Sequence, residues 1–437
     1  MGDVGAIPVQ LDLSDAKDSI QAPLVEDSFL EDHHPIGFSP STTDSLEFFI
    51  RGTEHWIDFS KSYVCLEGDI QGTSDKHVTD NDTTSPLKAG TTDPQFFVEQ
   101  NFLHSIFSSV DVTVNDTAVS FNNANYPYIA YVQNICNLTR DQRSTSGSLC
   151  LWAKTDAARK ELIITPTKIA GLIQIKSPLL LHEKNLFSFV NVKVVMNRVT
   201  NPEFYFRWGG SIAGYKFQIT KAVFKVRKLK VRDSYHQFWE RHLDSGGFIN
   251  YHLKDFRVFT RSYAGIPSEI IEDNLFHSIL PTKVFFGFVD SDGFMGKKAQ
   301  SPFNFQSVVS SIREVGLFVN GQLYPLPMLR GNFSTGETFE MYYHLLEALQ
   351  GVHSPDPPLI TKSDFDAGVT TLFGFNLSPD QYDSSDQRSL FNQPSNIRLH
   401  VKFSAGDAAK KLTLIVYYEM HASLSINKTR QIVFRTQ

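Results

Sequence analysis

The sequence predicts an all-β protein of sandwiches or jelly rolls with few helices. Short runs with a two-residue apolar period recur along the whole chain. Aromatic residues make up 13 %, with 36 phenylalanines, which suits pleated, half-buried surfaces. Long polar stretches separate these runs. At 437 residues the length fits two all-β domains of roughly 200–250 residues each. A chain of this size buries enough surface to need neither disulfide nor metal for stability.

Residues 1–44 hold nine acids and one base, Lys17, a balance of −8; the chain totals −6, so the rest stands at +2. This stretch has no periodicity and ends in the turn formers of HHPIGFSPSTTD (33–44). It reads as an acidic arm, extended or disordered until docked. LEFFIR (46–51) is a short strand. In YVCLEGDIQG (63–72), Val64, Leu66 and Ile70 share one face, with Glu67 and Asp69 on the other. Residues 72–94 are polar and aperiodic, a long surface loop.

In NFLHSIFSSVDVTVND (101–116) a short amphipathic turn runs into a strand. Val110, Val112 and Val114 alternate, and Asn115–Asp116 is a hairpin signal. Strand texture returns at Val190, Val192, Val194 and Met196, then in EFYFRW (203–208), KVFFGFV (283–289), VGLFV (315–319), IRLHVKF (397–403) and KLTLIVYYEM (411–420). The best helix is ETFEMYYHLLEALQG (337–351), with Gly351 as its stop; AARKEL (157–162) is a weaker one.

Two internal likenesses compete. SSVDVTVND (108–116) pairs with SSIREVGLFVNG (310–321), an offset near 205 residues; NFLHSIF (101–107) pairs with NLFHSIL (274–280), an offset of 173. The first matches strand and turn together and points to two halves built from the same parts. Gly209–Gly210 and Gly214 then mark a joint near residue 210.

YKFQITKAVFKVRKLKVR (215–232) carries seven cations. Its apolar phase slips twice, after Ile219 and after Val226, which implies bulges or bends in one long strand. The favoured reading is a strand with a solvated basic face. A nucleic-acid surface and a seat for an acidic segment of a neighbouring chain are the others.

No catalytic, cofactor-binding or metal site emerges, and no enzymatic activity is expected. Cys65, Cys136 and Cys150 are sparse, odd in number and without CxxC spacing. DSDG (290–293) opens like a calcium loop, but Ser301 stands where the bidentate Glu is needed, so a turn is expected. His33–His34 lacks further ligands. His104 and His277 sit on apolar turns as core or interface histidines. No secretory leader is expected from MGDVGAIPVQLDLSD, and no apolar run is long enough to span a bilayer. A reducing compartment follows.

In order and spacing, several blocks resemble the major capsid proteins of Maverick/Polinton-type viruses and transposons, including the adintoviruses. They are LEFFIRGTEHWIDFSKSYVCLEGDI (46–70), NFLHSIFSSVDVTVND, NYPYIAYVQNI (125–135), LPTKVFFGFVDSDGFMGKKAQSPFNF (280–305), FVNGQLYP (318–325), FGFNLSPD (373–380) and IRLHVKFSAG (397–406). The chain departs from those blocks at Gln100, at Ser301 in place of Asn, and at Asn376 in place of Asp, where local hydrogen bonds should differ.

The resemblance implies a double jelly roll, two eight-stranded antiparallel sandwiches in one chain with few short helices. The expected layout is an acidic arm over 1–45, a first jelly roll over 46–210 and a second over 211–437. It further implies homotrimers forming pseudo-hexagonal capsomers that tile an icosahedral shell. Penton and minor capsid proteins would be partners, without sequence-specific nucleic-acid binding. The location would be the virion capsid, made in the host cytoplasm and assembled there or in the nucleus. The alternatives are a two-jelly-roll glycan-acting hydrolase, which wants a pocket with convergent acids, and an adhesion module, which wants a secretory route.

Overall fold

The computed structural model describes residues 24–40, 45–72, 96–119, 125–143, 145–153, 159, 168–208, 215–273, 275–276, 280–297, 300–305, 308–352, 354, 358–368, 370–378 and 395–436. The loop expected over 72–94 (beyond Gly72), the AARKEL helix (apart from Arg159), Gly209, Gly210, Gly214 and His277 fall outside these residues.

The first half contributes β1 (Val25–His33), β2 (Ser45–Ile50), β3 (Trp56–Gly72), β4 (Phe96–Val98), β5 (Phe107–Val114), β6 (Thr117–Ala118), β7 (Lys168–Ile173), β8 (Val192–Arg198), β9 (Phe206–Trp208) and β10 (Tyr215–Val231). The second contributes β11 (Ile249–Tyr263), β12 (Glu269–Glu272), β13 (Lys283–Asp290), β14 (Ile312–Val319), β15 (Gln322–Arg330), β16 (Phe373–Asn376), β17 (Ile397–Phe403), β18 (Leu412–Ile426) and β19 (Ile432–Thr436). The sheets run β1-β10-β3-β7 and β2-β8-β5-β6, then β11-β18-β13-β16 and β12-β17-β14-β15; β19 adds to β18, and β4 pairs β9 separately.

Set β4, β9 and β19 aside, and each half has eight strands. In both halves the first, eighth, third and sixth form one sheet, and the second, seventh, fourth and fifth form the other. That order, twice over, is the double jelly roll. One contiguous apolar core runs through both halves.

Two expectations about layout are corrected. Residues 25–33, placed in the acidic arm, are the first strand of the first jelly roll and pair with β10 along nearly their whole length. Their side chains are half-buried or exposed throughout, so no alternation marks them in the sequence. The 215–231 segment, placed after the joint at 210, is the eighth strand of that same sandwich, paired to β3 from Tyr215–Gly72 to Leu229–Trp56. The chain therefore crosses to the second sandwich after β10, through helix α3 (Asp233–Asp244); α1 (Phe102–Ser105) and α2 (Tyr126–Asn137) precede it.

Other expectations are met locally. The β10–β3 register shifts between Ile219 and Lys221 and again between Lys225 and Arg227, close to the two slips read from the apolar phase. Val190, Val192, Val194 and Met196 are all buried. Helix α1, expected to be amphipathic, is buried on every side. EFYFRW is a strand only from Phe206, because Pro202–Phe204 form a 3-10 turn capped by Asn201. The 337–351 helix spans Phe339–Ala348, and its left-handed stop is Gln350 (φ 54), one residue before Gly351.

The 205-residue likeness is structural. Asn115–Asp116 (φ 41 and 66) and Asn320–Gly321 (φ 50 and 82) are two-residue turns with both residues left-handed, joining the fourth and fifth strands of each half. In each turn the Asn side chain accepts from the backbone N–H that opens the seventh strand: Asn191 to Asn115 at 2.8 Å, Asn396 to Asn320 at 2.9 Å. Both members shift by the same 205 positions (115 to 320, 191 to 396). The 173-residue likeness fails, because 101–107 leads into a fourth strand while 274–280 leads into a third.

Candidate functional site

The basic face of β10 is occupied within the chain. Lys225 meets Asp32 at 2.7 Å, Lys228 meets Glu31 at 2.7 Å and Lys230 meets Glu26 at 3.1 Å. Arg227 donates to the Ser28 hydroxyl at 2.9 Å. The hydrogen bond from Lys225 holds the Asp32 carboxyl below its ordinary range. Lys228 is the buried member of the set. The segment that sits on the basic strand is acidic, as charge complementarity requires, but it belongs to the same chain.

The junction between the sandwiches is built from three sets of contacts. Tyr131 of α2 stacks on Phe303 (centroids 4.8 Å apart) and on Phe305 (5.6 Å), with Trp152 closing the far side at 5.0 Å. The Tyr128 hydroxyl donates to the Pro302 carbonyl at 2.9 Å. Beside them lies Glu99, 1 % exposed. It accepts from Arg207 and, at 2.7 Å, from the hydroxyl of Ser301. Burial pushes its carboxyl up, and the cations Arg207 and Arg159 pull it back. Ser301, a departure from the resembled block, thus supplies a bond across the junction. On another side Tyr251 of β11 donates to Asn185 O at 3.1 Å and accepts from Phe187 N at 3.0 Å. These contacts tie the two jelly rolls together across the junction.

Next to α2 the junction encloses a cavity of about 470 Å³. The first half lines it with Gln133, Lys176, His182, Glu183 and Lys184, the second with His252, Lys254, Lys283 and Glu419. Gln133 donates to the Tyr417 hydroxyl, which donates to Glu419 at 2.8 Å. Burial depresses the Lys176 ammonium, with the Cys150 thiol opposing it. Burial, with Lys184 and His252 adding to it, pushes His182 down to about 4. Sequence reasoning singled out none of the nine lining residues named, because they come from five segments far apart in the chain.

Several of the residues that were singled out have structural jobs. Asp290 caps a one-turn helix, Ser291–Phe294, by accepting from Asp292 N at 2.7 Å. His104 is buried and shares a hydrogen bond with the Tyr126 hydroxyl at 2.9 Å. His33 lies 3.3 Å from Glu31 on β1. Asn376 keeps a capping bond to Ser378 N at 3.1 Å despite replacing Asp. Cys65, Cys136 and Cys150 form no disulfide among the described residues. Among the described residues no group of three or more His, Cys, Asp or Glu side chains could hold a metal ion, and no helix is long and apolar enough to cross a membrane.

No family model matches the chain. The uncharacterised protein F54H12.2 of Caenorhabditis elegans is 23 % identical over 349 residues, covering 76 % of this chain and 80 % of that protein. Among solved structures, a chain of the Sputnik virophage aligns with a TM-score of 0.63 at 13 % identity, over 100 % of this chain and 93 % of that one. The PBCV-1 virus capsid gives 0.60 at 9 % identity, over 96 % and 98 %. The mavirus major capsid protein gives 0.54 at 10 % identity, over 100 % and 96 %. At such identities the likeness is one of fold, and the fold this chain shares with these viral structures, along almost its entire length, is the double jelly roll.

Proposed function

We propose that the chain is a major capsid protein whose homotrimers form pseudo-hexagonal capsomers and tile an icosahedral shell. The observation that carries this reading is the same eight-strand order twice in one chain, together with a fold that aligns over 96–100 % of that chain with the Sputnik virophage and PBCV-1 virus capsid structures. Three copies of a two-sandwich tile bring six similar lobes around one axis, which is how a trimer imitates a hexagon. Exposed apolar side chains such as Leu326 (82 %), Phe339 (74 %) and Met295 (71 %) offer surface for contacts between copies.

The resembled blocks favour a DNA virus or virus-like transposon of the Maverick/Polinton type. In that setting the chain sits in the virion capsid beside penton and minor capsid proteins, after synthesis in the host cytoplasm. The first jelly roll is assigned to residues 24–231 and the second to 249–436, with α3 between them. Catalysis has no part in this reading. The central cavity presents four lysines and two histidines beside two carboxylates, which does not fit the paired acids of a glycan hydrolase.

Light scattering combined with electron microscopy of the purified protein tests the proposal. The expected particle has three times the 49.4 kDa chain mass and a six-lobed outline. Monomers alone across micromolar concentrations would overturn it.

A further inference from the structure

The junction cavity holds more positive than negative charge in a partly enclosed space. Among the described residues, neither Lys176 nor Lys184 has a carboxylate within ion-pair reach, although lysine–carboxylate pairs form elsewhere, such as Lys193–Glu47 and Lys402–Glu314. Lys254 and Lys283 face the same space from β11 and β13. Gathering four ammonium groups around one cavity raises its potential, and low-dielectric walls focus that field. Four lysines against two carboxylates, Glu183 and Glu419, leave the lining with a net positive charge.

We propose that this cavity binds a compact oligophosphate, contacted by Lys176 and Lys184 from the first jelly roll and by Lys254 and Lys283 from the second. A volume of about 470 Å³ lies in the range of small-ligand sites. An oligophosphate supplies several anionic oxygens along a short chain, so one molecule meets lysines on both walls. Each contact is a charge-assisted hydrogen bond, stronger than its neutral counterpart. A ligand held by both halves binds the folded tile better than the unfolded chain and therefore stabilises it. This proposal stands on the cavity alone and does not depend on the shell reading.

Isothermal calorimetry of the full-length protein with inorganic tripolyphosphate, at physiological salt, tests it. One molecule per chain is expected, with a rise in melting temperature that saturates. Lys184→Gln should weaken binding about tenfold or more, the size of one charge-assisted hydrogen bond. Glu183→Gln should tighten it, and this exposed change leaves the core untouched. Lys254→Gln tests the opposite wall, and Lys225→Gln on the outer face of β10 should leave affinity unchanged. No heat at millimolar tripolyphosphate would overturn the proposal. So would several weak sites per chain, or an affinity indifferent to Lys184 and Lys254 while Glu183→Gln has no effect.

Discussion

The first and eighth strands pair in both jelly rolls, yet the two pairs are held by different chemistry. In the second half, β11 and β18 run together from Ile249–Ile426 to Tyr263–Leu412. Ile249, Tyr251 and Leu253 of β11 are buried in alternation, and the Tyr251 hydroxyl is anchored across the junction. In the first half, β1 is nine residues long, with no fully buried side chain. Its grip on β10 is the backbone ladder plus three ion pairs, and Phe29 rests edge-on against His55 at 5.2 Å. One topological position can thus be filled by apolar burial or by charge matching. The apolar version contributes free energy in proportion to area. The charged version contributes little per exposed pair but fixes which strand docks, and where.

The harshest way to break the comparison is to delete residues 1–33. That removes a whole strand and bares the ladder edge of β10, so a melting temperature lower by several degrees or more is expected, at roughly 2–4 °C per kcal/mol for a domain of this size. Association through the open edge should accompany it. Calorimetry showing an unchanged melt would return residues 25–33 to the status of a loose arm.

Point substitutions sharpen the contrast. Leu253→Ala on β11 should cost about 2–5 kcal/mol in denaturant unfolding, the range for a buried leucine. Phe29→Ala on β1 should stay within about 0.5 kcal/mol, as surface changes do. Equal costs would mean that β1 is buried far more deeply than its exposed pattern indicates.

Acid gives the smallest and most local effect. Lys225 keeps Asp32 ionised below its ordinary value of 3.8 in the folded state, as Lys221 and Lys168 do for Glu67 of β3. A depressed carboxyl contributes stability that is complete above its unfolded pKa and lost as pH falls through the folded one. Pepsin, active in acid, should therefore cut within 25–33 at pH 2–3 but not at pH 5, while the β11 segment resists at both. Added salt should loosen β1 at pH 5 and so narrow the difference between the two pH values, since the Asp32–Lys225 and Glu26–Lys230 pairs lie near solvent. Cleavage of β11 before β1 would contradict the assignment.

Much was legible from local pattern. The apolar phase of 215–232 foretold its irregularities, because a bulge shifts which side chains face inward. The Asn-containing turns foretold two equivalent hairpins, because few residues tolerate left-handed backbone at two successive positions. What local pattern concealed was β1: VEDSFLEDH has no periodicity, because neither of its faces is fully buried. It concealed the joint as well, since a Gly-rich stretch at 209–214 looks like a boundary whether or not the next strand returns to the same sheet.

By itself, then, the sequence determined many of the strand segments, where the longest basic one bulges and how two hairpins turn, because those choices depend on side chains a few residues apart. The tertiary structure alone decided that β10 closes the first sandwich, that an acidic segment becomes its first strand, and that four lysines share one cavity. Each of these depends on which distant surface is free to be covered: β10 offers one backbone edge to β3 and the other to β1, whose acids meet its lysines. The cavity exists only where two finished sandwiches meet without filling the space between them.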